Sequence, residues 1–300
     1  MSETPIVFIC FNRYETTIKT FEKIRFYKPK KLYLIIDYPR KNNKKDEENN
    51  NQIKIFFEKK IDWSCEVIRD YSKVNLGLKK RIITGLNKVF EIEKKAIILE
   101  DDCYPHNDFF YFCDLMLERY FENKKIMFIT GNNFQDKNEV YKSDYYFSKY
   151  THIWGWATWR DTWKKIIFDD SYWKSKFENN IKFDNFVHHD EEYEYWKKFY
   201  YLVTQDKLQS WSLYLLFSIW ENNGLTVTPN QNLIKNLGLN EGTNMKNFIN
   251  ITKFEKNPLK KPLNNNTVFE QNVDKDLNVF RKIYKPSLLS KIFNYIKSFI

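Results

Sequence analysis

Apolar residues follow two rhythms along the first 130 positions. Short runs rich in β-branched and aromatic side chains, too brief for helices, occur at 5–11 (PIVFICF), 30–37 (KKLYLIID), 64–70 (SCEVIRD), 95–100 (KAIILE) and 125–131 (KIMFITG), and predict strands. Between them the spacing turns helical. Ile18, Phe21 and Ile24 mark a helix over 12–27, and an Asn- and Lys-rich loop leads to a second at 51–60 (NQIKIFFEKK). Further helices are predicted over 77–93 and 107–121. Alternation of this kind predicts an α/β fold with a mostly parallel sheet covered on both faces. Ligands of such sheets bind outside the carboxyl ends of the strands. Asn12, Arg13, Asp37, Asp70 and the triplet Glu100, Asp101, Asp102 all fall there.

Beyond residue 131 the pattern loosens. A Trp- and Tyr-rich segment (YYFSKYTHIWGWATWRDTW) is followed by helices around 190–222 and a short strand, LTVTP. From about residue 235 the chain is rich in Asn, Lys and Pro and reads as an irregular extension over 236–285. The last fifteen residues regain a pattern. On a helix Leu288, Leu289, Ile292, Phe293, Ile296, Phe299 and Ile300 fall in one arc of roughly 140°, with Lys291 and Lys297 opposite. That suits a helix lying on an anionic membrane surface, and equally one docked on its own domain or a partner. The expected organisation is one domain over 1–235, the extension, and an amphipathic helix over 286–300.

Composition narrows the partners. The formal net charge is +10, yet only 8 of the 49 basic residues are arginines, the side chain that dominates base-edge and bidentate phosphate recognition. The lysines are dispersed, so the excess reads as solvation with a diffuse pull toward anionic surfaces or phosphorylated ligands, and no nucleic-acid partner is expected. The four cysteines form no CxxC pair, which fits free thiols in a reducing compartment. The opening MSETPIVFIC lacks a basic segment before its short apolar run, and no stretch reaches the roughly 18 apolar residues of a membrane span. A cytoplasmic protein is expected, peripheral on the membrane if the last helix binds there.

The triplet after AIIL carries the chemistry. Three adjacent acids at the end of a buried strand repel one another unless a positive partner sits among them. A divalent cation is the simplest, and hard carboxylate oxygens select Mg²⁺ or Mn²⁺, whose open positions suit a diphosphate. The sequence contains no GxSxG elbow, P-loop or GxGxxG, which argues against hydrolase, kinase and dehydrogenase chemistry.

Taken together, the opening strand with FNR, and then NLGLKK, IILEDDCYP, YTHIWGWATW and NGLTVTPNQNLIKNLG, resemble bacterial GT-A glycosyltransferases of surface-polysaccharide synthesis. The EDD is similar to the DXD variant of the N-acetylglucosaminyltransferase that begins complex N-glycans. The resemblance covers roughly residues 3–240. It implies a GT-A fold, with Asp102 on the metal and Asp101 and Glu100 at ribose and donor sugar. It also implies Arg13 against uracil or diphosphate and Asp37 accepting from the base. From the residues alone, Arg13 reads equally as a surface cation and Asp37 as a loop cap. NLGLKK would present helix N–H groups to an anion, with Lys79 and Lys80 either assisting or solvated. Trp154 and Trp156 would form a floor under a sugar, with Gly155 letting the backbone approach it; their bland reading is core.

Transfer with inversion needs a carboxylate to take the acceptor's proton. Similar enzymes place an Asp after a Trp near a late helix, where this chain has Ser212 after Trp211. Asp206 is the preferred substitute over Asp190, Glu191 and Glu192, the last two read as solvated. HHDEE lacks metal-ligand spacing and reads as a polar helix start. The function expected is metal-dependent transfer of a sugar, hexosyl or N-acetylhexosaminyl, from a nucleotide-diphosphate donor to a glycan or lipid-linked acceptor. The alternative is a nucleotide-sugar-binding protein without transferase activity.

Overall fold

In a computed structural model, residues 3–135, 143–178, 186–187, 189–204, 210–238, 259, 261–264, 266 and 268–285 are described. Strand β1 (Ile6–Cys10) is buried at all positions and runs parallel to β2 (Lys31–Ile36) on one side and β4 (Lys95–Glu100) on the other. With β3 (Glu66–Tyr71) beyond β2, these make the parallel half of an eight-stranded sheet. The α/β class expected from the sequence, a large sheet flanked by helices, is the one observed. Register aligns the strand ends: Cys10 faces Ile36 and Ile9 faces Glu100, so residues 11–13, 37 and 101–102 leave the sheet at one edge.

Successive side chains of β1 point to opposite faces, and each face has its own core. Ile6 and Phe8 meet α1 (Tyr14–Tyr27), α2 (Lys44–Lys60) and α4 (Asp108–Arg119) through Phe21, Ile24, Ile53, Phe57, Phe109 and Phe112. Val7 and Ile9 meet α3 (Leu78–Ile92) through Ile82, Leu86 and Val89, and α8 (Trp211–Glu221) through Leu215 and Ile219.

The other half of the sheet mixes parallel and antiparallel pairing. After β5 (Cys103–Pro105) and β6 (Ile126–Thr130), the Trp- and Tyr-rich segment supplies β7 (Tyr145–Ser148) and β8 (Trp156–Trp159). β8 is inserted antiparallel between β4 and β6, while β7 pairs antiparallel with β9 (Leu225–Pro229) at the edge. Helices α5 (Arg160–Trp163), α6 (Asp170–Glu178) and α7 (Asp190–Thr204) precede α8, and β10 (Ile234–Asn236) pairs with β5 in a separate two-stranded ladder. The domain boundary expected at 235 therefore falls inside a strand.

Two further departures have clear causes. The loop expected before residue 51 is the first half of α2. Asn43 caps it by accepting from the Asp46 N–H at 3.1 Å, and buried Asn50 donates to the carbonyls of Phe11 and Asp37, both at 2.9 Å. Within the extension expected to be irregular, α9 (Val273–Val279) packs on β7, and a π-helical turn (Phe280–Tyr284) packs through Phe280 and Tyr284 on Tyr195 and Trp196. On α9, buried Asp276 accepts from the Ser148 hydroxyl and, at 2.9 Å, from the Lys149 N–H. Cys10, Cys103 and Cys113 are buried free thiols. Among the described residues no helix is long and apolar enough to cross a membrane. Residues 286–300, Asp206 and His188 lie outside the described residues.

Candidate active site

At the carboxyl edge of β1, β2 and β4 lies a cavity of about 520 Å³. Glu100 ends β4, and Asp101 and Asp102 form the turn into β5. All three line the cavity with Arg13, which caps α1 from the loop after β1. The Arg13 guanidinium donates through one nitrogen to Asp102 Oδ2 at 2.7 Å and Asp101 Oδ1 at 3.3 Å. Asp101 is held further by the Phe11 N–H at 3.2 Å on its Oδ2, and its carbonyl accepts from the Thr20 hydroxyl. The acids are thus fixed by the first loop and α1, and the positive partner their repulsion demands is a side chain of the same chain.

One guanidinium does not neutralise three carboxylates. Burial, then the charges of Asp102 and Asp101, push Glu100 up to about 8, with Arg13 pulling the other way. Burial and Asp102 push Asp101 up to about 7 against Arg13 and the Phe11 N–H. Partial burial works against the charge of Arg13, but Asp101 and Asp102 outweigh it and raise its pKa. Among the described residues no group of three His, Cys, Asp or Glu side chains could hold a cation unaided. The triplet still fits Mg²⁺ or Mn²⁺ of the kind bound through one or two carboxylates with water and phosphate completing the shell. Asp102 keeps 14% of its side-chain surface open, with its Oδ2 accepting from Arg13.

Arginine is concentrated here. Three of the eight, Arg13, Arg40 and Arg81, line the cavity. Arg40 is presented by buried Asp46, which accepts from its Nε at 2.6 Å and Nη2 at 2.9 Å and from Asn12 at 2.6 Å. The Arg40 hydrogen bond is the first cause holding the Asp46 carboxyl down to about 2. Arg81 is buried and committed to the Ile36 carbonyl at 3.2 Å and to Asp70, whose carboxylate lies 2.8 Å away. Arg40 and Arg81 escape motif reasoning, and the only signal for them was the rarity of arginine in a lysine-rich chain.

Other expected site residues divide. Trp154 is half-buried and lines the cavity, its ring edge-on to Phe134. Trp156, expected beside it under a sugar, is instead core: 1% exposed, its ring stacked on Phe128 at 5.0 Å and Trp163 at 6.3 Å, with no face open to a ligand. Its ring packs at 5.9 Å against Trp211, which lines the cavity, without lining the cavity itself. Gly155 adopts φ +70°, and a Cβ there would lie 2.4 Å from Ile234 Cδ1, so close packing against β10 accounts for this glycine rather than access to a ligand. Asp37 lines the cavity, but its carboxylate accepts from the N–H groups of Tyr38, Leu76 and Gly77 at 2.9, 3.0 and 2.9 Å, which ties the β2 end to the loop before α3. Lys79 is directed to α8, donating to the Tyr214 hydroxyl at 3.0 Å with Asp170 at 3.6 Å, and Lys80 is exposed. Glu192, expected to be solvated, is buried against Lys149 at 2.6 Å. Ser212 opens α8 beside Ser210 at 3.1 Å, next to Trp211, which does line the cavity.

No protein-family model matches the chain, and no curated protein matches it. Solved structures match it loosely. HddC from Yersinia pseudotuberculosis, complexed with GMP-PN, is 12% identical over 42% of this chain with a TM-score of 0.27, and the chain spans 56% of its length. The 4-diphosphocytidyl-2C-methyl-D-erythritolsynthase of Anaerococcus prevotii is 12% identical over 66% of this chain and 98% of its own, with a TM-score of 0.34. The glycosyltransferase GlyE of Streptococcus pneumoniae is 15% identical over 60% of this chain and 41% of its own, with a TM-score of 0.32. Likenesses this loose assign neither a family nor an activity.

Proposed function

We propose that the chain is a glycosyltransferase that takes a sugar from a nucleoside diphosphate donor, a UDP-sugar foremost, and delivers it to a glycan or lipid-linked acceptor in surface-polysaccharide synthesis. One observation carries this: the triplet Glu100, Asp101 and Asp102 and three arginines of a lysine-rich chain share a cavity at the carboxyl edge of the sheet. Such a pairing suits a ligand that is itself anionic and arrives with a cation, and Arg recognises phosphate through a planar array of donors.

In this reading Arg13 and Arg40 take the diphosphate, Glu100 and Asp101 the hydroxyls of ribose and donor sugar, and Trp154 lies under a sugar ring. Asp102 would hold Mn²⁺ or Mg²⁺, which when bound supplies neutralisation of charge on the leaving diphosphate. The acceptor oxygen forms its bond to the anomeric carbon from the opposite face. The bond from that carbon to the diphosphate breaks, and the electron pair leaves with the phosphate oxygen. The acceptor's proton passes to a carboxylate, for which Asp206 is proposed. A helix over 286–300 on an anionic membrane would bring the enzyme to lipid-linked acceptors.

Calorimetric titration of UDP-sugars with Mn²⁺ tests the donor site: Asp102→Ala should lose at least about tenfold in affinity, and undiminished metal-dependent affinity in that variant refutes the assignment. Release of UDP in the presence of glycan acceptors separates transfer from mere binding. Binding without turnover on any acceptor would favour the non-catalytic alternative, which Ser212 in place of an Asp keeps in view.

A further inference from the structure

β10 pairs antiparallel with β5 directly after the acid turn, with Ile234 opposite Pro105, Lys235 opposite Tyr104 and Asn236 opposite Cys103. The contact continues one residue further, where the Leu237 N–H donates to the Asp102 carbonyl at 2.8 Å. The following residue, Gly238, therefore lies against the Asp102 side chain. A Cβ on Gly238 would stand 2.5 Å from Asp102 Oδ2 and 3.3 Å from its Cβ, the first being closer than real Cβ atoms approach anything. Gly238 does not adopt the left-handed backbone that would itself call for glycine, so the requirement is one of space. The Gly238 N–H donates to Asn236 Oδ1 at 2.8 Å. That engages the amide oxygen of Asn236 with the chain, and Asn236, Gly238 and Asp102 line the cavity together.

We propose that residues 236–238 are a positioning element for the donor site. Gly238 keeps clear the volume that the Asp102 carboxylate occupies while it points to Arg13, and Asn236 donates from its amide to an oxygen of the donor diphosphate. The pairing of β10 with β5 fixes this element to the acids through backbone hydrogen bonds, so its position is set by the same turn that presents them. The ligand's identity rests on the nucleotide-sugar proposal; the link between Gly238 and Asp102 does not.

The test is a double-mutant cycle in the full chain: Gly238→Ala, Asp102→Ala and the pair, with UDP titrated in Mn²⁺ and melting temperature read without ligand. Gly238→Ala should weaken UDP binding about tenfold in the wild-type background and less than about twofold in Asp102→Ala, because the group it displaces is then gone. An equal effect in both backgrounds, or none in either, overturns the positioning role. Asn236→Ala should weaken UDP binding about fivefold while the melting temperature falls only by the loss of the one hydrogen bond to the Gly238 N–H, and unaltered affinity overturns its contact with the diphosphate. If the wild-type chain binds no UDP, the nucleotide proposal fails by itself and the cycle is read on melting alone. Destabilisation by Gly238→Ala that vanishes in Asp102→Ala upholds the positioning role, and destabilisation that persists overturns it.

Discussion

At the scale of single residues the site is defined by charge that is incompletely balanced. Glu100 and Asp101 hold their protons to about 8 and about 7, where unfolded carboxyls release theirs near 4.5 and 3.8. Between those limits the folded chain binds more protons than the unfolded one, so its stability is full at low pH and is lost as pH rises through 7 and 8. His152 acts in the other direction: burial lowers it to about 3 from 6.5, so it removes stability only as pH falls below 6.5. From pH 6.5 to 8 the two acids should dominate the slope, because Asp276, raised to about 6, is largely ionised by then and the buried thiols of Cys10, Cys103 and Cys113, raised above their ordinary 9, act only at higher pH. Metal-free protein should melt at progressively lower temperature across that range, and Glu100→Gln should flatten the decline; equal slopes in the two proteins would show that the triplet is not the source. The acids were legible in the sequence because an apolar strand announces where its carboxyl end lies. Asp37 and Trp156 were left between two readings each, loop cap or base contact and core or sugar floor, because the choice depends on which neighbours the fold supplies: three backbone N–H groups for the first, Phe128 and Trp163 for the second.

At the scale of elements, the strands and helices that read clearly are those whose apolar face meets the sheet: β1, β2, β4, α1 and α3. Those that read poorly are held by polar bonds or are too short to show a period. The first half of α2 is fixed by Asn43, Asp46 and Asn50, side chains that resemble loop composition until their partners are known. β7 and β8 are four residues each and wholly buried, so no alternation distinguishes them. α9 is tied down in a similar way. Lys149, at the end of β7, pairs with Glu192 of α7, and its N–H donates to Asp276 of α9, with each of the three side chains buried. Burial lowers the Lys149 pKa, against the charges of Glu192 and Asp276. Glu192→Gln leaves that ammonium buried opposite a neutral amide and should cost about 3–5 kcal/mol in denaturant melts. Replacing Lys149 and Glu192 together by Met and Leu should recover most of the loss, because the unpaired charge is then gone. A double variant as unstable as Glu192→Gln would contradict the pairing as the source.

At the scale of the whole molecule, a net charge of +10 invites the view that any anion is attracted anywhere. The placement of arginine argues for something more local. Arg40 stands at the N-terminal approach to α2, braced by Asp46, whereas Lys59 and Lys60 end that helix of 17 residues. At 1.5 Å per residue the two ends are about 25 Å apart, roughly three Debye lengths at physiological salt. Charge at the far end is therefore screened from the cavity, and charge at the near end is not. Arg40→Gln should weaken UDP binding about five- to tenfold and make it less sensitive to salt, because one phosphate contact is lost. Lys59→Gln combined with Lys60→Gln removes twice the charge and should leave both quantities unchanged. Titrations at low and at physiological ionic strength decide the matter. If the lysine pair weakens binding as much as Arg40→Gln does, the attraction belongs to the molecule's overall charge, and the three arginines lose their claim to a specific role at the acids.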